Sequence, residues 1–190
     1  MGRTIFVNIF GLLAVVEAVL ITAVPLPAAE DVVALRQGDM KAMAAAAKTI
    51  SGMFKDPTSY KAAEFGSAAD TIRERSGIVL SGHFASETAN LQSKAGPQSK
   101  AGPNILKERE RFDRIANDLR DYAVALDAAA QKNPGPMTAS MRMKPGEAMG
   151  GGPFGTHVRD EQELLAMPAE HAFHLMLQTC TTCHAKFRTE

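Results

Sequence analysis

The chain has 190 residues, and its 21 basic and 21 acidic side chains cancel. That length suits one domain, and the neutral balance argues against a partner that is nucleic acid or an acidic membrane surface. Aromatic residues are only 6% and tryptophan is absent, while alanine and methionine are plentiful, a composition that favours helices over sheets.

Residues 1–29 read as an export leader. Arg3 supplies the positive start, the apolar run from Ile5 to Val16 is broken only by Asn8 and Gly11, and Pro25-Leu26-Pro27-Ala28-Ala29 provides a helix break and small residues for cleavage after Ala28 or Ala29. Ile5 to Val24 is nearly long enough to span a membrane, so a retained anchor is the competing reading. Glu17 weighs against it, because an acidic side chain near mid-bilayer is costly. Export predicts an oxidising compartment, the periplasm of a Gram-negative bacterium or its equivalent, where two lone cysteines need a use.

Residues 31–55 predict a first helix capped by Asp31. Its inward stripe reads Val33, Arg36, Met40, Met43, Ala47, Ile50 and Phe54, with spacings alternating between three and four. Arg36 is the exception on that stripe, since a buried guanidinium must meet an anion or carry a large desolvation cost. The alternative is that it snorkels to the helix edge and pairs with a carboxylate. A second helix is predicted to start with Asp56 as N-cap and Pro57 at N1 and to run to about Leu80. Its inward positions would be Phe65, Ala69, Ile72, Ser76 and Val79, and His83 beyond it reads as a surface loop histidine.

An exact tandem duplication follows, Gln-Ser-Lys-Ala-Gly-Pro at 92–97 and again at 98–103, whose Gly-Pro pairs stop helices and predict a surface linker. Asn104 then predicts the cap of a third helix. Ile105, Phe112, Leu119 and Leu126 recur every seven residues, with Ile115, Tyr122 and Ala129 offset by three, which suits nearly antiparallel bundle packing. The run Lys107-Glu108-Arg109-Glu110-Arg111 reads as a solvated outer face. From about 132 to 167, Pro134, Pro136, Pro145, Pro153 and Gly150-Gly151-Gly152 predict a flexible insert, with a short helix over 160–166. It concentrates Met137, Met141, Met143 and Met149, and copper(I) binding is the minor alternative to packing over the bundle.

The last helix is predicted from Pro168 at N1 through Phe173 and Leu177 to Cys180-Thr181-Thr182-Cys183-His184, which holds both cysteines of the chain. C-x-x-C-H is the attachment pattern of c-type haem: each sulfur can form a thioether to a vinyl group and the histidine brings an imidazole to the iron. On a helix Cys180 and His184 share a face, and Cys183 lies about 60° away. A thioredoxin-like dithiol expects a βαβ context, and a structural zinc site wants four ligands; neither is present in the pattern, and a plain disulfide or a chance match completes the alternatives. With haem in view, a propionate becomes the anion for Arg36. Met40, one turn later, is a candidate axial ligand against the ordinary alternative of core packing.

Arg36 and Met40 on the first helix, and Cys180, Cys183 and His184 on the last, together resemble class II cytochrome c, the cytochrome c′ family. The resemblance covers residues 31–80, 104–131 and 168–188 and excludes the Met-rich segment. It implies an all-α, antiparallel four-helix bundle over residues 30–190 with one covalently bound haem c, His184 as proximal ligand and Arg188 beside the proximal face. It also implies either a low-spin, Met40-ligated electron carrier or a five-coordinate, high-spin form that binds nitric oxide or carbon monoxide. The family tryptophan early in the third helix is absent, with Leu106 beside Ile105 instead. The expected function is one-electron transfer in the periplasm with periplasmic or membrane redox proteins, not catalysis on a substrate and not nucleic-acid binding; homodimerisation is implied by the resemblance.

Overall fold

Good helix formers and an unbroken inward stripe build α1 (Glu30–Lys55). The computed structural model describes residues 30–85, 99–146 and 161–189. The leader, the first copy of the duplicated hexapeptide with Gln98, Asp160, and the run holding Met149, Gly150 to Gly152 and Pro153 lie outside them. Asp31 falls within α1 and not at its cap. Val33, Arg36, Met43, Ile50 and Phe54 are buried and Met40 and Ala47 partly so, as the stripe requires, and Ala46 and Met53 widen it.

The predicted second helix is interrupted twice. Asp56 does act as a cap, accepting from the Thr58 N–H (3.1 Å) and hydroxyl (2.6 Å), but what it caps is one 3-10 turn, Pro57–Ser59. The chain then extends at Tyr60, whose buried ring donates its hydroxyl to the Asn133 carbonyl (3.0 Å), and α2 (Ala62–Glu74) begins only after that anchor. A second break falls at Gly77, where φ is +60° and the N–H bonds the Ala116 carbonyl at 2.8 Å; a short α3 (Ile78–Gly82) follows. Phe65, Ala69, Ile72 and Ser76 are inward as expected, but the break resets the phase. Val79 is therefore 47% exposed and Leu80 takes the buried position. Gly77→Ala should destabilise the fold by about 1–3 kcal/mol in a urea titration, because this backbone region disfavours a Cβ. That Cβ would also meet the Arg120 side chain at 2.8 Å.

Pro103, not Asn104, precedes the next helix: α4 (Asn104–Lys107) breaks at Glu108 and continues as α5 (Arg109–Lys132). The heptad seam survives the break, with Ile105, Phe112, Leu119, Tyr122 and Leu126 all buried. The start of the predicted insert packs against the bundle. Met141 is buried, and Arg142 donates to the Phe54 carbonyl (2.9 Å) and pairs with Glu170 (2.9 Å), which also accepts from the Met143 N–H. After it come α6 (Glu161–Ala166) and α7 (Ala169–Phe187), the latter with Pro168 at the cap position, one residue before the expected N1.

α1 packs on α2, α2 on α5, and α5 on α7. Cross-contacts fix each pair as antiparallel: Phe54 meets Phe65 (5.5 Å between centroids), Gly77 bonds Ala116, and Phe112 meets Phe187 (5.2 Å). The result is an all-α, up-and-down four-helix bundle, with α2–α3 and α4–α5 as its two interrupted members. α1 and α7 touch at one end through Phe54 and Phe173 (5.6 Å) and separate at the other. The core divides accordingly: a large cluster around Phe65, Tyr122, Leu126 and Met176, and a smaller one of Leu80, Phe84, Ile105, Phe112, Ala116 and Phe187 at the open end. No helix among the described residues is long and apolar enough to cross a membrane.

Candidate functional site

The gap between the first turns of α1 and the last turns of α7 is a cavity of about 410 Å³. Val33, Phe84, Ile105 and Phe112 give it apolar walls, Arg36 and Met40 reach it from α1, and Cys183, His184 and Arg188 reach it from the end of α7. The elements expected to face each other therefore do meet. Cys180 is partly buried against the large core cluster, Cys183 against the small one, and Met40 packs against both.

Arg36 does not snorkel to the helix edge. It is 4% exposed, its guanidinium sits 4.5 Å from the centre of the Phe84 ring, and its Nε donates to the Val32 carbonyl at 3.3 Å. Burial lowers its pKa, yet a guanidinium keeps its charge, so the cavity wall contains a desolvated cation. Burial also raises the Cys180 thiol, and pushes Cys183 up to about 12 with the help of its neighbour Cys180. Neutral, half-buried thiols are the opposite of a reactive redox dithiol, which needs a depressed pKa. Among the described residues no group of three or more His, Cys, Asp or Glu could hold a metal ion. His184 is held below its ordinary value, first by burial and then by Arg188, whose own N–H bonds the His184 carbonyl at 3.1 Å. A neutral imidazole is the form that binds iron.

Several residues of the site escaped the sequence reading. Arg109, placed on a solvated charged face, donates at 2.8 Å to both the Ser81 and Phe84 carbonyls and pairs with Asp113 at 2.8 Å. It ties off the end of α3 and so positions Phe84, which meets Phe112 edge-on at 5.1 Å. Ser99, Lys100 and Ala101, from the second hexapeptide copy, also line the cavity. His83 is half-buried, with Nδ1 3.6 Å from Asp39, and is not a plain surface residue. The charge run around Arg109 and the Gly-Pro pairs near Lys100 carry no local signal of these contacts.

The donor set fits a haem: two thiols one turn apart, an adjacent imidazole, a thioether from the other helix and a buried cation suited to an anionic substituent. An up-and-down bundle that brings C-x-x-C-H on its last helix to an apolar cavity defines a bundle-type c-type haem cytochrome. A family model described as Cytochrome C' matches residues 31–146, more than half of the chain, which belongs to the cytochrome c′ family.

Similar solved structures agree on the fold. Cytochrome c′ from Thermochromatium tepidum superposes with a TM-score of 0.60 at 20% identity, over 86% of this chain and 98% of that one. A cytochrome c′ described as having an unusual ligand-controlled dimer dissociation gives 0.61 at 17%, over 87% and 100%. Cytochrome c prime from Shewanella frigidimarina gives 0.55 at 20%, over 87% and 100%. No curated protein sequence matches the chain significantly.

Proposed function

We propose that the protein is a periplasmic one-electron carrier in which Cys180 and Cys183 tether the haem, His184 is the proximal ligand and Met40 the distal one. The observation that carries this reading is that Met40, from α1, enters the same cavity as Cys183 and His184 from α7. A bound haem supplies the Fe(II)/Fe(III) couple. The chain's residues set its potential: a thioether ligand raises it, and Phe84, Ile105 and Phe112 keep water from the cavity. Arg36 holds a propionate from within the wall, and Arg188 stands beside the proximal imidazole. Residues 1–29 direct export, cleaved after Ala28 or Ala29. The partners are periplasmic or membrane redox proteins. A homodimer would cover Leu35, Ile78 and Val79, apolar side chains exposed on α1 and α3.

Absorption spectra of protein from a host that matures c-type cytochromes test this reading. The expected result is a covalent haemochrome, a low-spin ferric spectrum and a ferrous form that resists carbon monoxide. A high-spin ferric form whose reduced state binds carbon monoxide readily would assign Met40 to packing and make the site a nitric oxide or carbon monoxide binder. Absence of covalent haem would overturn both.

A further inference from the structure

We infer that the rim of the cavity, formed by Lys41, Lys100 and Arg188, is a docking surface for the acidic face of a redox partner protein; the inference rests on the electron-carrier reading above. On a chain whose charges cancel, four cations line this one cavity (these three and Arg36), and among the described residues no carboxylate does. Arg36 is buried, whereas the other three are exposed, and among the described residues none of the three forms an ion pair. Among the described carboxylates, Asp39 on α1 is engaged with Arg75 (3.4 Å) and His83 (3.6 Å), and Glu108 with Lys186 (2.8 Å) and Arg111 (3.8 Å).

Lys100 is held on the rim by construction. The second hexapeptide copy pairs with the end of α7: the Gly102 N–H bonds the Phe187 carbonyl at 2.7 Å, and the Thr189 N–H bonds the Lys100 carbonyl at 2.9 Å, on either side of the Ala101–Arg188 bridge. Glycine at 102 permits this approach, since a Cβ there would lie 3.0 Å from the Phe187 oxygen. The duplicated segment thus carries a lysine to the mouth of the haem site and fastens it beside Arg188. Unpaired rim charges of one sign steer encounter and set orientation, and they act strongly on a molecule with no net charge of its own. Arg36 supplies a buried partner for one of the two propionates, and a second propionate paired at the rim would still leave two of the three outer cations facing solvent.

The holoprotein can be adsorbed on gold electrodes coated with carboxylate-terminated or ammonium-terminated alkanethiol monolayers, with its midpoint potential measured in parallel in solution. The expected result is a direct voltammetric wave at least about tenfold stronger on the carboxylate surface at low salt, within the range of electrostatic steering. It should vanish at about 1 M salt, where the Debye length is about 3 Å. The K41E/K100E double variant should lose the wave, and K55E, exposed at the far end of α1, should keep it. Equal response on both monolayers by a protein with a reversible couple in solution overturns the docking surface and leaves the carrier reading intact. A double variant that keeps the carboxylate preference and shifts only its potential assigns the lysines to the propionates and likewise overturns it. No reversible haem couple in solution overturns both.

Discussion

Met40→Ala is expected to convert a low-spin haem spectrum to a high-spin one, open the ferrous iron to carbon monoxide and lower the reduction potential. The change removes the one methionine sulfur that, among the described residues, shares the cavity with His184, and the alanine methyl cannot reach across to replace it. Because Met40 is only partly buried, the stability cost should fall near the low end of the buried methionine-to-alanine range, about 2 kcal/mol. Met43→Ala is the internal control. Met43 lies on the same stripe, is 8% exposed and packs in the large cluster, so its loss should cost stability and leave the spectrum alone. If Met43→Ala moves the spectrum and Met40→Ala does not, the distal assignment passes to Met43.

Replacing Cys180 and Cys183 together by alanine should abolish covalent haem, measured as haem staining on a denaturing gel, while either single substitution should retain one thioether and a shifted haemochrome band. The loss should not unfold the bundle. Phe54, Phe65, Tyr122, Phe173 and Met176 belong to the large cluster away from the cavity, so far-ultraviolet circular dichroism should stay helical. Amide exchange should instead accelerate at α3, α4 and the last turn of α7, whose small cluster of Leu80, Phe84, Ile105, Phe112 and Phe187 borders the cavity. Uniform unfolding of the double variant would show that the two ends of the core are not separate.

The α1 stripe and the α5 seam were legible because helical periodicity is a local property: residues three, four and seven apart share a face whatever they later pack against. Both interruptions of the second helix were not. Asp56-Pro57 carries a valid start signal, but where the helix resumes depends on Tyr60 reaching Asn133, and the break at Gly77 depends on its N–H finding Ala116 on α5. One misread break shifts every later residue to another face, which is why Val79 was expected inside. Arg109 and Lys100 illustrate the same limit on the polar side. A charge run looks solvated and a Gly-Pro repeat looks like a spacer until carbonyls 25 and 28 residues away, or a helix end near residue 187, come into reach.

What the sequence by itself determined is the chemistry of attachment: two thiols and an imidazole within five residues can grip a porphyrin edge on any helix that carries them. It also placed Arg36 and Met40 on the inward side of α1. What only the tertiary structure decided is that these two halves share one cavity, that Phe84 and the strap through Lys100 close its rim, and that Arg36, Lys41, Lys100 and Arg188 gather around it. Those facts depend on α1 and α7 meeting at Phe54 and Phe173 and parting at the other end, and such a separation is set by side chains far apart in the chain, which no local pattern encodes.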